Sequence, residues 1–145
     1  MADSPAVRFV VFRVGDLVCA VPVEVVREII SPQPATRIPG APSTIDGLVN
    51  VRGSLLTVVK GHAVLGREAP GGDGGSVLVL EVAGRALGFE VDEVLDLLQV
   101  SPGALDPRES LPGIDPRLVK AVGRQGKRIF VLLDTEALLA PLLGG

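Results

Sequence analysis

Apolar residues run almost unbroken through "VRFVVFRV" and again through "LVCAVP", with only Gly15-Asp16 between the two runs. Runs this short, rich in Val and bounded by turn residues, predict strands rather than helices. A pair of strands is predicted over 8–14 and 17–22, joined by a tight turn. The same pattern predicts a second pair over 76–82 and 85–91, around Ala83-Gly84. Small and acidic residues suit both turns. After each pair the apolar positions fall three and four apart, which predicts short helices over 23–30 and 92–98, with Asp92 capping the second. A Pro-rich loop comes next, "SPQPATRIPGAPS" in one place and "SPGALDPRESLPGIDP" in the other. Two further strands are predicted near 45–51 and 54–59, and near 118–124 and 128–133, with a short closing helix near 61–66 and 134–143.

The same order of elements therefore occurs twice. Shifted by 68 positions, residues 9–30 lie over 77–98 without a gap. Apolar residues coincide at Val11 and Val79, Val26 and Val94, and Ile29 and Leu97, while Glu24 meets Asp92 and Glu28 meets Asp96. A shift of 74 lays "SLLTVVKGHAVL" (54–65) over "RIFVLLDTEALL" (128–139). Chance likeness between Val-rich strands is the alternative, but the matched order favours a duplication. The chain reads as one domain, 1–145, with subdomain-like halves of about 8–66 and 76–140. Between them the Gly-rich "GREAPGGDGG" (66–75) suits a flexible connector. The predicted architecture is all-β with short helices: two small antiparallel barrels of four or five strands, packed together. Closing a sheet removes the exposed edges that strands this apolar would otherwise present.

Composition narrows the chemistry. Apolar residues make up 47% of the 145, but aromatics only 3%, with no Trp or Tyr, so the core must be built from Val, Leu, Ile and Ala. A net charge of −3 with no basic cluster argues against binding nucleic acid through its phosphates. No run free of Asp, Glu, Lys and Arg approaches the about 20 residues of a spanning helix, so direct membrane insertion is not expected. "MADSPAVRF" lacks the basic-then-apolar order of a secretory signal. Cys19, the single cysteine, excludes an internal disulfide and suits a reducing compartment. A cytoplasmic protein is expected.

No catalytic, cofactor-binding or metal-binding constellation emerges. His62, the only histidine, follows Gly61 in a connector and reads as a solvated residue. Cys19 sits mid-strand without a histidine at metal-ligand spacing. Asp92, Glu93 and Asp96 read as a solvated acidic helix face or a cap rather than an acid–base pair. The Gly-rich run 71–75 lacks the Lys-Ser/Thr ending of a phosphate loop. A binding protein is expected, without catalysis or cofactor. Arg52, in "GLVNVRG", stands between two predicted strands, where Gly53 supplies the unusual backbone angle of a hairpin turn. Read as a bare residue, Arg52 keeps that tip soluble.

The succession "EII", "TRIPGAP", "IDGLVNVRGSLLTVV", "LVLEV…LGFEVDEV" and "VLLDTEALL", spread over about 8–140, resembles the CheW-type coupling proteins of bacterial chemosensory systems. The resemblance implies two five-stranded β-barrels and no catalysis. It also implies a role tying the cytoplasmic tips of chemoreceptors to a CheA-type histidine autokinase, with recruitment to receptor clusters. Arg52 matches the "NLRG"-type arginine, which is associated with partner binding. On a short rigid turn, such a side chain loses little freedom when it pairs with an acceptor. Val26 and Glu28 match receptor-facing positions; for Glu28 a helix face or a salt bridge is the alternative. Val26, Ile29, Val94 and Leu98 are candidates to line a groove between the barrels that receives a helical receptor tip.

One stretch departs from the family. Where it usually reads "PVVDLR", this chain has Thr57, Lys60, Gly61 and His62 in place of Pro, Asp, Leu and Arg. Recognition by charge at that end cannot survive the reversal unchanged, which puts the kinase contact in question. A divergent adaptor that binds receptor but has lost kinase coupling is therefore the alternative. From another class, a small-ligand-binding barrel or an enzyme using Asp92 and His62 remains; a metabolite thermal-shift screen without stabilisation would remove it.

Overall fold

The computed structural model describes residues 7–68, 75–106 and 113–143. Strands β1 (Val7–Val14) and β2 (Leu17–Pro22) form the first hairpin, and β3 (Val26–Ile30) follows a single 3-10 turn at Val23–Val25. Next come β4 (Ile45–Val51), β5 (Ser54–Lys60) and the one-turn helix α1 (Gly61–Val64). The series repeats as β6 (Ser76–Val82), β7 (Arg85–Val91), β8 (Glu93–Val100), the short β9 (Leu105–Asp106), β10 (Val119–Gln125), β11 (Arg128–Leu133) and α2 (Thr135–Leu143). The fold is all-β with short helices. Most of the connector falls at 69–74, outside the described residues, as does 107–112 of the second Pro-rich loop.

Two predicted helices are strands. Residues 26–30 and 93–100 form β3 and β8, so Asp92 caps no helix. The cause is a β-bulge in each. β3 pairs with β6 through Val26 opposite Leu80 and then Glu28 opposite Val79, which leaves Arg27 as the extra residue. β8 pairs with β1 through Val94 opposite Phe12 and Asp96 opposite Val11, which leaves Leu95. An extra residue shifts the two-residue alternation by one, so apolar positions fall three apart and imitate a helix.

Sheet order shows what the duplication built. One sheet runs β8-β1-β2-β11-β10-β9 and the other β3-β6-β7-β5-β4. Each therefore takes its first hairpin from one half of the chain and its remaining strands from the other. The halves 8–66 and 76–140 are units of sequence, and each sheet mixes them. The exchange also corrects the expectation of purely antiparallel barrels of five strands. One sheet has six strands, and each has a parallel ladder where strands of different halves meet: β11 with β2, and β5 with β7. The equivalence is close: Val58 opposite Gly88 in one ladder corresponds, by the same two shifts, to Leu132 opposite Ala20 in the other.

Three cores result. The largest lies between the sheets and includes Phe12, Val14, Cys19, Val21, Leu78, Leu80, Leu87, Phe89 and Val131. Phe12 meets Phe89 there edge-on, with ring centroids 6.0 Å apart. A second core, with Phe9, Val11, Ala20, Leu98 and Phe130, belongs to the six-stranded sheet alone. A third, with Val49, Leu56, Val58, Val77 and Val79, belongs to the other sheet. Along β1, Phe9 and Val11 face one core while Val10, Phe12 and Val14 face another. Strands buried on both faces read as continuous apolar runs, which is why "FVVFRV" shows no alternation.

Candidate functional site

Arg52 lies in the turn between β4 and β5 with φ 49°, and Gly53 beside it has φ 87°. Positive φ at both central residues is the type I′ geometry whose twist suits a two-residue hairpin. Asn50 holds the turn: its side-chain oxygen accepts a hydrogen bond from the Gly53 N–H at 2.9 Å. From this tip Arg52 forms a charge-assisted hydrogen bond with Glu28 of β3. β3 and β4 are opposite edges of their sheet, separated by β6, β7 and β5. Flat strands would set those edges roughly 19 Å apart, so the sheet is strongly curled and the ion pair spans its open seam. Arg52 is 73% exposed and Glu28 only 23%. The carboxylate anchors the pair, and the guanidinium keeps free donors toward solvent.

The other sheet carries a similar ion pair, equivalent on its acidic side. Asp96 on β8, equivalent to Glu28, stands 3.5 Å from the Arg128 guanidinium at the start of β11. Among the described residues, the four exposed large apolar side chains match in the same way. Ile29 corresponds to Leu97 and Leu55 to Ile129, and all four are between 47% and 68% exposed. Each ion pair thus has an exposed apolar neighbour on the strand and another on the hairpin.

The remaining predicted residues separate. Val26 and Val94 are half-buried and pack onto the core between the sheets. Ile29 is exposed, whereas Leu98 is buried in the core of the six-stranded sheet and offers nothing to a groove. Sequence spacing put Leu98 beside Val94 on a helix face; the bulge at Leu95 sends it inward instead. Leu55 and Ile129 had no sequence signal as surface residues, because exposed and buried apolar positions look alike within a Val- and Leu-rich hairpin.

In the divergent stretch, Thr57 and Lys60 are half-buried on β5, and His62 is half-buried in α1 rather than in an open connector. Gly61 is buried, and a Cβ there would stand 2.1 Å from the Glu90 carbonyl oxygen. No Leu fits at Gly61 in this backbone. Asp92 accepts hydrogen bonds from the Gly15 N–H at 2.9 Å and from Arg13 at 3.3 Å, tying the β1–β2 turn to the start of β8. Cys19 is fully buried. Burial pushes its thiol up to about 12, and Arg67 offsets part of that rise. Among the described residues no cluster of three or more His, Cys, Asp or Glu side chains could hold a metal ion, and no helix is long and apolar enough to cross a membrane.

The CheW-like domain family matches residues 8–142, nearly the whole chain. The protein belongs to the CheW-like family. A probable chemotaxis protein CheW from Rhizobium etli is 29% identical over 135 residues, covering 92% of this chain and 87% of that one. Protein FrzA from Myxococcus xanthus is 35% identical over 130 residues, covering 83% and 79%. The crystal structure of the scaffolding protein TtCheW from Thermoanaerobacter tengcongensis superposes with a TM-score of 0.83 over 92% of this chain and 86% of that one, at 21% identity. The curled pair of exchanged sheets is thus a CheW-like fold, and Arg52 with Glu28 spans the seam of one of them.

Proposed function

We propose that this CheW-like protein is a non-enzymatic chemosensory scaffold that couples methyl-accepting chemoreceptors to a CheA-type histidine kinase, working at cytoplasmic receptor clusters. One observation carries the site assignment. Two residues far apart in sequence, Glu28 and Arg52, meet as an ion pair on a rigid turn, with the guanidinium outward and exposed Ile29 and Leu55 nearby in the chain. An exposed arginine fixed by a short turn, with exposed apolar residues close by in the chain, has the makings of an interface anchor. Val26 and Val94 supply half-buried apolar surface at the junction of the sheets, where an apolar helix face of the receptor tip would seat. The test mixes purified protein with receptor signalling fragment and kinase. A ternary complex that co-migrates supports the role, and failure to retain either partner at tens of micromolar rejects it.

A second reading rests on Lys60, Gly61 and His62. If kinase coupling has been lost there, calorimetry gives heat with receptor fragment and none with kinase. Heat with both returns the protein to the full coupling role.

A further inference from the structure

Three adjacent strands of the five-stranded sheet, β7, β5 and β4, each contribute one ionisable side chain to a row: Glu90, Lys60 and Asp46. Lys60 stands opposite Glu90 in the parallel ladder. Asp46 is the extra residue of a bulge opposite Val58 and Val59. All three are half-buried, and the Asp46 carboxyl is within hydrogen-bonding reach of the Glu90 carboxyl. Two carboxylates in that contact cannot both ionise cheaply, whereas one proton between them makes a good hydrogen bond. The other elements against Glu90 add little charge. β6 sets apolar Val77 opposite it, and the nearest ionisable group of α1 is His62, after Gly61.

The second half of the chain lacks this arrangement. By the shifts that align the halves, Lys120 stands for Asp46, Asp134 for Lys60 and Pro22 for Glu90. The signs of the first two are exchanged and the second carboxyl is absent. Asp134 instead accepts a hydrogen bond from the Ala137 N–H at 3.1 Å at the start of α2.

We propose that Asp46, Lys60 and Glu90 form a proton-sharing row that links the packing of β4, β5 and β7, and of the divergent stretch 57–62, to pH. The reversed charge at Lys60 is met within the fold, where it faces two carboxyls. With the shared proton in place the row is neutral; without it the row is anionic. Backbone contact carries the change onward, because Gly61 lies tight against the Glu90 carbonyl. Burial first, then the hydrogen bond and charge of Asp46, raise Glu90 from 4.5 to about 7, while Lys60 opposes them. The folded protein therefore holds a proton that the unfolded chain has released. The stabilisation is complete below about pH 4.5, declines as pH rises toward 7, and is gone above it.

Side-chain carboxyl NMR and urea melts on the full chain between pH 4.5 and 9 test the row. In the wild type, the Glu90 carboxyl titrates near neutral pH. Asp46→Asn moves that midpoint down toward the ordinary carboxylate range, and Lys60→Met moves it further up. Glu90→Gln flattens the fall in stability between pH 5 and 7. A wild-type Glu90 that titrates with ordinary carboxylates overturns the proposal, and so does a midpoint that neither neighbouring substitution moves. The wild-type titration decides the matter even if a variant fails to fold.

Discussion

Arg52 occupies backbone that an L side chain enters only at a cost of about 1–2 kcal/mol, at φ 49°, where Asn would sit with less strain. Its ion pair with Glu28 is 73% exposed on the arginine side, and such pairs contribute about 0–1 kcal/mol. Stability therefore does not explain why an arginine stands there. Arg52→Asn should leave the urea midpoint unchanged or slightly higher while receptor-fragment affinity falls by roughly 30-fold, as loss of an interface anchor of about 2 kcal/mol requires. Arg52→Glu should weaken binding further by repulsion, with melting little changed. An Arg52→Glu protein that melts early while its folded fraction binds normally makes the arginine structural. Cys19 gives a second test at this scale. Its thiol, pushed up to about 12 by burial, stays protonated at pH 8 and should resist an aromatic disulfide reagent in native protein, then react fully in denaturant.

The elements depend on two glycines of different kinds, one needed for its backbone angle and one for a close backbone approach. Gly53, at φ 87°, has open space around it, so Gly53→Ala adds only conformational strain and should lower stability by about 1 kcal/mol. Gly61 is strained by nothing, but an added Cβ meets the Glu90 carbonyl at 2.1 Å. Gly61→Ala must push α1 and the end of β5 away from β7, and should cost about 2 kcal/mol or more in chemical denaturation. The ordering of the two losses is the point of comparison. Equal losses would mean that α1 moves aside freely. Bulges also act at this scale. Those at Arg27 and Leu95 let β3 and β8 turn one part of each strand toward the core between the sheets and the rest toward the core of a single sheet.

Across the whole molecule, the exchange of strands makes each half dependent on the other. β1 and β2 lie between β8 and β11, and β6 and β7 lie between β3 and β5. A half chain alone would expose both flanks of its first hairpin, and long unpaired apolar edges promote aggregation. Cutting within 69–74 and expressing the halves separately should give two fragments without cooperative melting. Mixing them should restore the circular-dichroism spectrum and one sigmoidal transition. A half that folds by itself would show that the sheets, despite their mixed origin, are not mutually required.

The local pattern settled what local physics controls. The strands at β1, β2, β6, β7, β4, β5, β10 and β11 were legible because short Val-rich runs end at turn residues, and the two-residue connections followed from Arg52-Gly53 and Ala83-Gly84. The duplication was legible too, since equivalent strands keep equivalent apolar positions. Pairing between the halves was not, because a ladder joins residues far apart in sequence through backbone groups that carry no residue code. For the same reason the bulged β3 and β8 read as helices, and Leu98 read as surface. Glu28 and Arg52 were each visible as candidates, but only the curl of the sheet brought them together. Nothing in the order of residues marked Glu90 as a partner for Asp46 and Lys60; that row exists because β7 of one half lies against β5 of the other.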